Sequence, residues 1–219
     1  FGHAAFEGGM GGGGGPRGSA DSWLRFALGA VGLGRTLFLP LLTIVVLLAW
    51  HHASRQRWQL SVWVPLGMLG ESLVWAAALF AVAHFPAWAV GETLLASHTE
   101  VSCALALRAT LDTAQNAVDA LGAGIYEEVL FRLLLLPAVA LCARRVGLAP
   151  KTSTIVAVLC TSAAFAAAHF VGEYGDVWNL ASFGIRFAAG IFFAVLFLRR
   201  GFGIAAGTHT AYDLFVGLG

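Results

Sequence analysis

Long apolar runs separated by short polar punctuation organise this chain. Six segments, roughly 34–52, 61–84, 116–143, 152–170, 181–198 and 203–217, come near the length of about 20 mainly apolar residues that carries a helix across a hydrocarbon core. The last is the shortest, and Gly201, Gly203 and Gly207 weaken its start. Trp23 to Leu33 is apolar but interrupted by glycine, as suits an interfacial helix or an extension of the first span. The stretch 85–112 begins at Pro86 and carries Glu92, His98, Glu100 and Arg108, so it is expected to lie in the interface rather than to cross. The glycine run ending at Pro16 cannot bury enough surface to fold, and residues 1–22 hold no apolar core of the signal-peptide kind. The pattern predicts an all-α, multi-pass transmembrane helix bundle of about six spans with a flexible Gly-rich N-terminal tail. Three parts are expected: the tail at 1–22, membrane helices and an interfacial segment at 23–114, and a membrane core at 115–219.

Composition supports the membrane assignment independently. Hydrophobic residues make up 58% of the chain and charged ones 11%, with a mean hydropathy of +0.79. Soluble domains carry about 25% charged residues, so this surface needs lipid against it. Thirteen basic against 12 acidic residues leave no nucleic-acid footprint. Cys103, Cys142 and Cys160 form no CxxC pair and read as packing residues. With six spans, Arg55, Arg57, Arg144, Arg145, Lys151, Arg199 and Arg200 all fall on one side, which the positive-inside rule makes cytoplasmic. Both ends of the chain then face the other side, which receives Arg17, Arg25, Arg35 and Arg108 together with the acidic loop holding Glu173 and Asp176. Trp50, Trp58, Trp63, Trp88 and Trp178 fall near span ends, where amphipathic rings favour the interface.

Ionisable groups inside spans are costly, face the bundle interior or water, and by default mark function. Glu71, Glu127, Glu128, Arg132, His169, Arg186, His209 and Asp213 occupy such positions. On a helix, Glu128 and Arg132 are neighbours four apart in the favoured acid-before-base order, and Glu127 is rotated about 100° away. One carboxylate is then held by the guanidinium while the other stays free for proton transfer; a charge pair that only fixes helix register is the bland alternative. His169 ends Phe165-Ala-Ala-Ala-His169, where small residues permit close backbone approach and Phe165 lies one turn before the His. His209 and Asp213 share a face, a spacing open to a carboxylate orienting an imidazole, to two metal ligands or to a polar pair sealing a helix contact. There is no HExxH, GxSxG, GxGD or GxxxxGK[ST] motif.

Glu127-Glu128-Val129-Leu130-Phe131-Arg132, Phe165-xxx-His169 and His209-xxx-Asp213 together resemble, in order, the EExxxR, FxxxH and HxxxN/D motifs of the CPBP family, the CAAX-protease and bacteriocin-processing membrane proteins also called Abi. The resemblance covers about residues 115–217. It implies glutamate-dependent peptide hydrolysis inside a helix bundle. Glu127 is then the base that activates water, His169 helps to hold that water, and His209 and Asp213 stabilise the developing oxyanion. Glu128 and Arg132 support them. Position 213 is Asp where Asn is common, so orienting His209 is its more natural part.

The reading implies no cofactor; the alternative is Zn²⁺ on Glu127, His169, His209 and Asp213. The expected partners are a membrane-anchored peptide or protein substrate, the lipid bilayer and other membrane subunits, with no nucleic acid, and the expected location is the inner (cytoplasmic) membrane. The competing function is a non-catalytic integral subunit or scaffold of a larger membrane complex, in which the Glu/His cluster is a structural polar network. Catalysis requires Glu127 and His169 within about one water of each other, with a path to lipid or solvent. A cluster plugged by aromatic side chains would favour the scaffold.

Overall fold

The computed structural model describes residues 38–55, 61–89, 117–118, 120–171 and 176–218. The tail, the Trp23–Leu33 segment and residues 90–112 lie outside them, as do Cys103 and Trp58. The described residues form six helices and no strand. They are α1 (Phe38–Ala53), α2 (Trp63–Ala89), α3 (120–145), α4 (Pro150–Ala168), α5 (Leu180–Arg200) and α6 (Phe202–Leu218). A helix thus stands at each of the six expected positions. Three of them, within Trp63–Ala83, Pro150–Ala168 and Leu180–Arg200, are long and apolar enough to cross a membrane. α6 has 17 residues and α3 carries the Glu127, Glu128 and Arg132 charges, so neither meets that measure on its own.

The helix boundaries follow local chemistry. α3 ends in a turn where Leu148 N–H donates to Ala143 O and Gly147 N–H to Arg144 O, the paired bonds that satisfy the last carbonyls of a helix. Gly147 supplies the positive φ, 92°, that this closure needs. Pro150 then opens α4, where its missing N–H costs nothing. Asn179 caps α5, its Oδ1 accepting from Ala181 and Ser182 N–H. Gly201, φ 90° and ψ 178°, is the whole connection between α5 and α6.

Neighbours α3, α4, α5 and α6 alternate in direction. Phe131 on α3 meets Phe165 on α4 at a ring separation of 5.4 Å, while Leu136 packs with Ala157 and Val158. A Cβ on Gly190 of α5 would stand 3.0 Å from Ser162 Cβ on α4, so the two backbones approach as closely as small residues allow. α2 runs parallel to α6, with Met68 against Gly203, Ser72 against Gly207 and Phe80 against Phe215.

Burial is inverted relative to a soluble protein. Leu66, Leu69, Val74, Val82, Ile155, Leu159, Ile185 and Leu198 are exposed, whereas Glu127, Glu128, Arg132, Thr161, Thr208 and His209 are buried. An integral membrane protein has this arrangement, because lipid covers apolar side chains and offers polar ones no partner.

Three expectations change. α2 continues through Pro86 to Ala89 rather than stopping near residue 84. Cys142 and Cys160 are exposed on the outer faces of α3 and α4, so they are not packing residues; in an apolar surround a thiol suits the lipid side as well as the core. The centre of α3, Val129–Leu135, is a π-helix rather than an α-helix. Of the interfacial tryptophans, Trp50, Trp63 and Trp178 are exposed at or near helix ends.

Candidate active site

The site is assembled from three helices. α3 brings Glu127, Glu128 and Arg132, the last turn of α4 brings Phe165 and His169, and α6 brings His209 and Asp213. Glu127 and Glu128 close the α-helical part of α3, and the π segment begins at the next residue. Leu136 N–H bonds to Phe131 O, five residues back, and this wide turn rotates Arg132 relative to its place on a regular helix. Arg132 Nη1 nevertheless lies 3.0 Å from Glu128 Oε1, with both side chains buried.

Glu128 binds in two directions. Its Oε1 also accepts from His209 Nδ1 at 2.8 Å. That bond fixes the imidazole and turns Nε2 toward Glu127 Oε2 at 3.7 Å and Asp213 Oδ2 at 3.6 Å. The sequence suggested Asp213 as the group that orients His209; the orienting hydrogen bond comes from Glu128 instead, because it reaches Nδ1 while Asp213 faces the other ring nitrogen. On the opposite side, His169 Nδ1–H donates to Phe165 O at 2.9 Å, leaving Nε2 directed at Glu127 Oε2 at 4.0 Å. Glu127 Oε2 is thus flanked by two imidazole nitrogens, is buried, and accepts no hydrogen bond from the described residues.

Aromatic rings enclose the charged part of the cluster. The Arg132 guanidinium carbon lies 4.4 Å from the centroid of Phe165 and 5.5 Å from that of Phe193, within the range of cation–π attraction. Phe193 stacks on His209 at 4.4 Å with 17° between planes. Arg132 Nη2 donates to Gly190 O at 3.3 Å. Phe193 and Gly190 carry no motif, and nothing in the sequence marks them. Their parts depend on which face of α5 meets α3 and α4.

Glu127 itself is buried and lies behind the imidazoles, and two of the enclosing rings, Phe165 and Phe193, also face open space. A cavity of about 350 Å³ adjoins the site, lined by His169, His209 and Asp213 and, from α5, by Ser182 and Arg186. A second, apolar cavity of about 530 Å³ between α2, α5 and α6 shares Ile185, Ala189 and Tyr212 with the first. The two remaining charged positions pair elsewhere. Arg200 reaches Glu71 with Nε at 2.6 Å and Nη2 at 2.5 Å, and Arg186 pairs with Asp176. Among the described residues no group of three or more His, Cys, Asp or Glu side chains is arranged to hold a metal ion.

Residues 111–215 match the family model described as type II CAAX prenyl endopeptidase Rce1-like. No curated protein and no solved structure matches the chain. The matched stretch contains all three motifs and every side chain of the cluster, so residues 111–215 of this membrane protein are an Rce1-like domain of the CAAX-protease family.

Proposed function

We propose that the chain is an intramembrane glutamic endopeptidase of an inner (cytoplasmic) membrane, cutting a peptide bond of a membrane-anchored substrate with water activated by Glu127. The observation that carries this reading is the setting of Glu127 Oε2: buried, without a hydrogen-bond donor among the described residues, and 4.0 and 3.7 Å from the Nε2 atoms of His169 and His209. Those gaps are longer than direct hydrogen bonds, so each nitrogen and the carboxylate can share a water. The adjoining cavity, walled by both imidazoles, favours catalysis over a sealed scaffold network.

The chemistry follows from the positions. Glu127 takes a proton from water as its oxygen bonds to the scissile carbonyl carbon, and His169 Nε2 accepts the water's second hydrogen bond. The carbonyl oxygen becomes an oxyanion, and a proton on His209 Nε2 faces it, held in place by the Nδ1 bond to Glu128. The C–N bond then breaks, and the departing amine takes the proton from Glu127. Asp213 stands beside Nε2 and balances the imidazolium. Arg132 keeps Glu128 in place and touches no reacting atom. No cofactor enters this scheme.

The test is a cleavage assay on purified protein in detergent. Glu127→Gln should lower the rate by at least about 100-fold, the range for a general base, with unchanged elution and melting temperature. The wild type should keep full activity after exhaustive chelation. Activity retained by Glu127→Gln would reject this base, and loss on chelation restored by Zn²⁺ would favour the metal alternative.

A further inference from the structure

From the direction of the helices we infer that the catalytic cavity opens on the non-cytoplasmic side of the membrane, so that the substrates are membrane-anchored polypeptides whose cleaved segment lies on that side. This rests on the protease reading above for the word substrate, but the sidedness itself does not.

Every basic residue in the short connections of the Rce1-like domain sits at one end of the bundle. Arg144 and Arg145 close α3, Lys151 lies in the first turn of α4, and Arg199 and Arg200 close α5. The turn between α3 and α4 spans only residues 146–149, and Gly201 alone joins α5 to α6. Basic residues beside short connections are those that fix orientation, and they remain in the cytoplasm. Because α3 to α6 alternate in direction, these residues share one side.

The cavity faces the other way. His169 follows Lys151 by eighteen positions, about 27 Å along a helix at 1.5 Å per residue, and Glu127 precedes Arg145 by the same number on α3, where the π segment makes the span somewhat shorter. That is close to the thickness of the hydrocarbon core, about 30 Å. The cavity is lined by the last turn of α4 (Phe165, His169), the first half of α5 (Ser182, Arg186) and the second half of α6 (Asp213, Val216). These stretches are the ends remote from the basic cluster, while Phe193, past the middle of α5, closes the cavity on its deep side. His209 stands beside it, seven positions into α6. The charges next to the opening, Asp176 and Arg186, pair with each other, and the connection from α4 to α5, residues 169–179, holds no Lys or Arg. A substrate whose cleavable peptide is confined to the cytoplasm would have to pass its backbone through most of the bilayer to reach Glu127, with unsatisfied peptide groups costing several kcal/mol each.

Two exposed positions report the sides directly: Val177, 91% exposed, just before α5, and Val146, 77% exposed, between α3 and α4. In full-length chain with its three native cysteines replaced, Val177→Cys and Val146→Cys are treated in intact cells with a membrane-impermeant maleimide. Val177→Cys should label without permeabilisation and Val146→Cys only after it. The reverse pattern would overturn the inference. In a second arm, a model substrate with one membrane anchor carries its cleavable segment on either side. Cutting only of the non-cytoplasmic version is expected, and cutting only of the cytoplasmic version would also overturn it. If the labelling is as expected and neither version is cut by wild type or by Glu127→Gln, the protease reading fails and the orientation stands.

Discussion

Arg132 is 1% exposed, and three different contacts hold it: the Glu128 carboxylate, the Gly190 carbonyl and the face of Phe165. A buried guanidinium needs an opposite charge beside it to offset its desolvation, and the Glu128 carboxylate supplies that charge as an ion pair. Arg132→Met would strand the Glu128 carboxylate with His209 alone, and removing one partner of a buried pair costs about 3–5 kcal/mol. We expect a corresponding fall in melting temperature or denaturant midpoint in detergent. Arg132→Lys should recover only part of it, since an ammonium keeps the charge but cannot span carboxylate and carbonyl while stacking on a ring. Equal stability of both variants with the wild type would show that the pair contributes nothing. The acid-before-base spacing announced this pair in the sequence. The carbonyl and the ring were hidden, because a backbone oxygen on another helix has no signature in the residue string.

At the scale of helices, close approach decides where the imidazoles stand. Gly190 lets α5 lie against Ser162 of α4, and a Cβ there would also come within 3.1 Å of Ser162 Cα and 3.3 Å of the Phe165 ring. Backbone cannot yield as a flexible side chain does. Gly190→Ala is therefore expected to push α5 outward, cost about 1–3 kcal/mol as other overpacked cores do, and move the carbonyl that holds Arg132. The check is a joint measurement of thermal stability and cleavage rate; an alanine variant that matches the wild type in both would refute the close-contact argument. The π segment belongs at this scale as well. Apolar periodicity registers that a helix is present at 116–143, but the switch from four- to five-residue turns between Val129 and Leu135 leaves no apolar signature. It is set by what Arg132 and Phe131 must meet on α4 and α5.

For the molecule as a whole, the two ends of the bundle carry different work. The Glu71–Arg200 pair joins α2 to α5 near the basic end, with the side chains 27% and 54% exposed. Exposed pairs contribute about 0–1 kcal/mol, and this one lies away from the cavity. Glu71→Gln should leave the cleavage rate unchanged and lower the melting temperature by a degree or two at most. A loss of activity comparable to that of Glu127→Gln would mean that the basic end takes part in the reaction.

The residue string by itself determined that the chain lives in lipid, that helices stand at six positions, and that an acid/His set recurs in the order of the CAAX-protease motifs. Those facts follow from quantities that are local or additive: apolar length, charge placement and spacing along a turn. The tertiary structure alone decided that Glu128 rather than Asp213 orients His209, that Glu71 pairs with Arg200 and Arg186 with Asp176, and that Glu127 is the carboxylate left between two imidazoles. Each of these joins residues on different segments, 81 positions apart in the case of Glu128 and His209. Only packing can bring such groups within hydrogen-bond distance, and in lipid the cost of an unpartnered polar group makes that packing specific.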